Sequence, residues 1–206
     1  MEIVSIGFVF SLAVLVVSVV VHEVAHGFAA YILGDPTAKL AGRLTLNPIK
    51  HLDPIGSIAV PLFLSLLPGG LIFGWAKPVP YNPYNLRGGK YSEAYVAVAG
   101  PLANIALALI FGLLLRAGWL VGWFGPTVVP IVSLIVLVNI MLALFNLIPV
   151  PPLDGSTILA TVLPAHSGVS RFLARYQLAL ILAVIFGVGF FINAIVWWIY
   201  RLLTGF

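Results

Sequence analysis

From Ile3 to Val21 the chain offers no ionisable side chain, and then His22, Glu23 and His26 arrive within five residues. An apolar run of that length predicts a membrane-crossing helix, here over about residues 4–33, roughly 45 Å at 1.5 Å per residue. Gly34-Asp35-Pro36 ends it. On such a helix His22 and His26, four apart, share a face and can grip one metal ion. Glu23 is offset by about 100° around the axis, where it can act as acid and base for water chemistry at such an ion. Ser11, Ser18, His22, Ala25, His26 and Ala29 form a small or polar stripe suited to packing on protein instead of lipid.

The rest of the chain has the same character. Of 206 residues 62% are hydrophobic and 8% charged, with a mean hydropathy of +1.15. Soluble domains carry roughly 25% charged residues, so the composition is that of an integral membrane protein. The net charge of +4 falls mostly in loops, where Lys and Arg report topology and not nucleic-acid binding. The absence of Cys excludes disulfides and thiolate metal sites. No cleavable signal peptide, internal repeat or inter-domain linker is visible, so residues 1–206 read as one membrane domain.

Further along, 37–47 alternates Leu40, Leu44 and Leu46 with polar residues and reads either as a short strand or hairpin or as a surface loop. The apolar stretch 55–73 is broken by Pro61 and by Pro68-Gly69-Gly70, and the prolines of 74–83 require extended chain. Further spans are expected at 92–116 and 128–148, where small-xxx-small pairs such as Ala99/Ala103 favour close helix packing. A break at 149–154, a short helix over 155–164 and a last span over 176–203, anchored by Trp197, Trp198 and Tyr200, complete the chain.

Two histidines leave a catalytic zinc short of its usual three protein ligands. Asp154, an ionisable group at a broken helix end, is the best third candidate. If it shares an ion with His22 and His26, the first span and the span at 128–148 end on one membrane side. One intervening segment must then turn back, and the broken 55–73 is the re-entrant one. That topology puts Lys39, Arg43, Lys50, Lys77, Arg87, Lys90, Arg171 and Arg175 on one face and leaves Arg116 and Arg201 on the other. By the positive-inside rule the crowded face is cytoplasmic, the amino terminus lies outside, and the site sits near the cytoplasm.

His22-Glu23-x-x-His26, Ala99-Gly100-Pro101-x-x-Asn104 and Asn146-x-x-Pro149-x-x-Pro152-Leu153-Asp154-Gly155 resemble, in order, the three signatures of the site-2 protease family. The resemblance covers roughly residues 5–160. The stretches at 47–56 and 74–80 resemble a compact prokaryotic branch of that family, without a PDZ domain. The resemblance implies an intramembrane zinc metalloprotease in a prokaryotic plasma membrane, with one Zn2+ per chain held by His22, His26 and Asp154. Glu23 is then the catalytic acid/base, and transmembrane proteins are the substrates. The fold expected is all-α and polytopic. A three-helix core (4–33, 92–116, 128–148) is joined by the re-entrant segment, a short β-strand or hairpin at 37–47 and the C-terminal helix; an edge strand at 37–47 or 75–81 could receive unwound substrate by strand addition.

Asn146 could orient substrate backbone or hold a developing oxyanion, or else bond another helix. Asn104 fits the helix–helix role better. His51 could touch substrate or the metal, or be a plain loop histidine. A metal-ion transporter and an inactive scaffold are the competing classes, and Glu23 has no evident role in either.

Overall fold

The computed structural model describes residues 2–60, 63, 77–164, 167–184, 187 and 189–206. The first apolar run forms α1 (Glu2–Ile32). It stops where Gly34 turns to a φ of 101°, a left-handed conformation that only glycine adopts freely. The chain then reverses into α2 (Thr37–Leu40), a single helical turn. The expected strand or hairpin over 37–47 is not formed. Asp35 instead accepts the Thr37 N–H at 3.2 Å and its hydroxyl at 2.6 Å, which starts a helical turn where alternation predicted a strand.

Pro54–Ala59 is a wide helical turn in which the Val60 N–H reaches Ile55 O. Asp53 opens it by accepting the Ile55 and Gly56 N–H groups at 3.0 and 2.7 Å. Most of the expected re-entrant segment 55–73 lies outside the described residues. Residues 77–82 have no helix or strand. The two central spans are α3 (Ser92–Leu120) and α4 (Val128–Asn146). After a turn come α5 (Asp154–Val162), α6 (Gly168–Arg175), α7 (Gln177–Ala183) and α8 (Gly189–Thr204). Helix α6 falls in what read as loop. Of the expected span at 176–203, α7 and α8 are described, and residues 185, 186 and 188 between them lie outside the described residues.

Among the described residues, three helical stretches are long and apolar enough to cross a bilayer: Val9–Ile32, Gly89–Leu120 and Val128–Asn146. Their side chains are arranged the opposite way from a water-soluble protein. On α3, Leu102, Ile105, Leu109, Ile110 and Leu113 face outward, while Ser18, His22, His26, Asn104 and Asn139 are buried between helices. The protein is therefore an all-helical integral membrane protein.

Helix α3 packs on both α1 and α4. On the side away from the histidines, Ala108, Val136, Ile140, Ile192, Val196 and Tyr200 close an apolar core between α3, α4 and α8. The polar side of α3 is turned to α1.

Candidate active site

His22 and His26 sit one turn apart on α1, rings edge to face with centroids 4.6 Å apart. Helix α3 reaches them because Gly100 has no side chain. A Cβ there would overlap His26 Nε2 and lie 2.6 Å from His22 Nε2. Asp154 arrives from the start of α5. That helix can begin directly under the end of α4 because a Cβ on Gly155 would run into the carbonyls of Leu147 and Ile148.

Three ligand-type atoms therefore converge. Asp154 Oδ2 lies 3.1 Å from His22 Nε2 and 3.3 Å from His26 Nε2, and the two nitrogens are 3.0 Å apart. Ligands about 2.0–2.1 Å from a tetrahedral zinc ion stand roughly 3.3 Å from one another. Among the described residues this is the group of three or more His, Asp or Glu that could hold a metal.

The outward-facing ring nitrogens decide what occupies that point. His22 Nδ1 is 2.6 Å from Asn104 Oδ1, and His26 Nδ1 is 2.7 Å from Val96 O. Both partners are acceptors. The Asn104 amide is oriented by its own donations, from Nδ2 to Asn139 Oδ1 at 2.8 Å and to Ser18 O at 3.3 Å. Each imidazole therefore carries its proton on Nδ1 and turns a bare lone pair on Nε2 toward the other. The Asp154 oxygen aimed between them is buried and, among the described residues, has no hydrogen-bond partner. Three converging lone pairs repel each other unless a cation lies among them, so the residues present fit a metal.

Asn139 completes the arrangement. Its amide donates to Ser18 Oγ at 3.0 Å and to Ile135 O at 2.8 Å, so α1, α3 and α4 are joined by one buried polar network ending on His22. Sequence reading missed Asn139, although an amide in the middle of an apolar span was a signal for it.

The carboxylate of Glu23 turns to a different element. Its Oε2 accepts the N–H of Val79 at 2.8 Å. Of the other residues singled out from sequence, Asn104 bonds the trio's His22, while His51 and Asn146 bond backbone carbonyls. Asn104 is fully buried against His22. His51 is only 1% exposed, and its Nε2 lies 2.8 Å from Thr45 O. Asn146 turns its amide nitrogen back on Leu142 O at 2.9 Å within its own helix.

Outside the spans, Asp35 is fully buried and ties the end of α1 to the loop that follows Val79. It accepts the Asn82 N–H at 2.7 Å and Asn85 Nδ2 at 2.8 Å, besides the Thr37 donors. Burial alone would raise this carboxyl, but the donors from Thr37, Asn85 and Asn82 hold it below its ordinary value.

The chain is 42% identical over 155 residues to the "Putative zinc metalloprotease YwhC" of Bacillus subtilis, a match covering 73% of this chain and 67% of that protein. The chain belongs to peptidase family M50, the site-2 protease family. The family's own profile, Peptidase family M50, matches residues 124–190, which include α4, the break after it and Asp154. Two further relatives carry the name "Putative zinc metalloprotease Rip2". The Mycolicibacterium smegmatis protein is 32% identical over 153 residues, covering 72% of this chain and 55% of its own length. The Mycobacterium tuberculosis protein is 30% identical over 209 residues, covering 95% of this chain and 74% of its own. No solved structure matches the chain.

Proposed function

We propose that this M50 member is an intramembrane zinc endopeptidase, with residues 1–206 acting as one protease domain on transmembrane proteins. One observation carries the reading: two imidazole lone pairs and an unpartnered buried carboxylate oxygen converge within a membrane-spanning core. His22, His26 and Asp154 are the residues to hold one Zn2+. Bound there, zinc supplies Lewis acidity for hydrolysis of a peptide bond. Asn104 and Val96 O keep both rings in the tautomer that can bind metal. Glu23, beside the first ligand, takes the proton of the attacking water and returns it to the leaving amine. Helices α1, α3 and α4 keep bulk water and lipid from the reacting bond.

The loop charges support a site near the cytoplasmic face of a prokaryotic plasma membrane, with the amino terminus outside. The chain has no native Cys, so single cysteines placed near Lys50 and Trp123 and labelled from each side test that orientation. Re-entry of 55–73 is part of the same proposal.

The deciding experiment compares purified wild type with Glu23→Gln on a membrane-embedded single-span reporter. Wild type should cut it, while the variant should keep one zinc per chain and lose about 10²–10⁴-fold in rate. A metal transporter with these ligands would cut nothing in either form, and that result would overturn the proposal.

A further inference from the structure

Between Pro78 and Pro80 only Val79 keeps a backbone N–H, and that N–H donates to Glu23 Oε2 at 2.8 Å. Proline on either side means no neighbouring amide can take over the bond if the segment slips. The segment is held from behind. Arg43 Nη2 donates to Lys77 O at 2.7 Å and to Pro78 O at 3.4 Å, and the Lys77 N–H donates to His51 O at 2.9 Å. Arg43 is 8% exposed. A guanidinium is costly to bury, so one spent on two carbonyls of a loop fixes where that loop lies.

The surface of α1 is cut to receive the same loop. Gly27 lies one turn beyond Glu23. A Cβ there would stand 2.7 Å from Val79 Cγ1 and 2.8 Å from Leu44 Cδ2.

We propose that Arg43 is a positioning residue for the catalytic carboxylate. By gripping the Lys77 and Pro78 carbonyls it seats the Val79 N–H on one oxygen of Glu23, leaving the other oxygen to exchange the proton. This rests on the reading of Glu23 as the acid/base. The rival use of the segment, as an edge to which substrate adds as a strand, fits less well. The N–H groups of Lys77 and Val79 and the carbonyls of Lys77 and Pro78 are already engaged, and Pro78 and Pro80 have no N–H to offer.

The test uses the full zinc-loaded chain in lipid nanodiscs with a single-span reporter. Arg43→Gln should lower kcat on the order of 10²-fold, the scale of a roughly 1 Å misplacement. KM should stay within about twofold and zinc at one per chain. Arg43→Lys, which can still reach one carbonyl, should recover most of kcat. Val79→Pro removes the N–H itself and should match Arg43→Gln with Arg43 intact.

Infrared spectroscopy gives a readout without turnover. The carboxylate stretching band that disappears in Glu23→Gln should shift in Arg43→Gln and in Val79→Pro. An unchanged kcat, a rise in KM alone, zinc loss accounting for the defect, or an unmoved band would each overturn the assignment. An active Glu23→Gln would sink the reading of Glu23 itself, so the two failures are distinguishable.

Discussion

His22 and Glu23 are neighbours on one helix, yet they are held by two different kinds of structure. His22 is fixed from inside the helical core, by an asparagine on α3 that is itself held by an asparagine on α4 and a serine on α1. Every link lies on a packed helix. Glu23 is fixed by one amide of a loop, and that loop depends on Arg43 and Asp35 for its place. A metal site needs ligand atoms held to fractions of an ångström, which packed helices provide. Glu23, in its proposed role as acid and base, is served by a single bond from a softer element.

The contrast can be broken most directly on the helical side. His26→Ala should leave zinc far below one per chain, with cleavage at background; full zinc by mass spectrometry would mean that the ion sits elsewhere. Gly100→Ala comes next, since its methyl group occupies the space of the imidazoles. Overpacking of this kind costs about 1–3 kcal/mol, and the variant should lose both thermal stability and zinc, whereas Gly7→Ala, with nothing near its Cβ, should change neither. Asn104→Leu removes the acceptor on His22 Nδ1 together with the donations to Asn139 Oδ1 and Ser18 O. Zinc affinity should fall about 10–100-fold in a competition titration, and an unchanged affinity would show that packing alone holds the ring.

The smallest effect belongs to the loop side. Asp35 has its carboxyl held below the ordinary value near 3.9. Its contribution to stability is therefore complete above about pH 4 and lost as pH falls through the lower, folded-state value. Unfolding temperature in detergent should drop more steeply below about pH 4 for wild type than for Asp35→Asn. Parallel curves would remove Asp35 from the account of the loop.

How much of this could be read without coordinates follows the same division. The spans were legible because nothing but a membrane helix accommodates residues 3–21, and the spacing of His22 and His26 put them on one face. Asp154 could be singled out because a charge at a proline-broken end of an apolar helix needs a partner. Periodicity failed at 37–47, where Asp35 bonds to Thr37 and turns the chain into a helical turn despite alternating leucines. It was silent about α6, eight residues long with too few turns to stand out. Arg43, Val79 and Gly27 were invisible as a group because their meeting depends on where a loop without repeating structure lies. Asn139 was legible in principle: a carboxamide in the middle of a hydrocarbon-facing helix is seldom idle.

Asp154 lies 132 positions after His22 in the chain, and α5, which presents it, forms only beyond the proline break that ends α4. A ribosome adding about 5–20 residues per second takes on the order of 10 s to cover that distance. For that interval the nascent chain has both histidines but lacks the third group of the candidate metal site. The candidate metal site is therefore completed only late in synthesis.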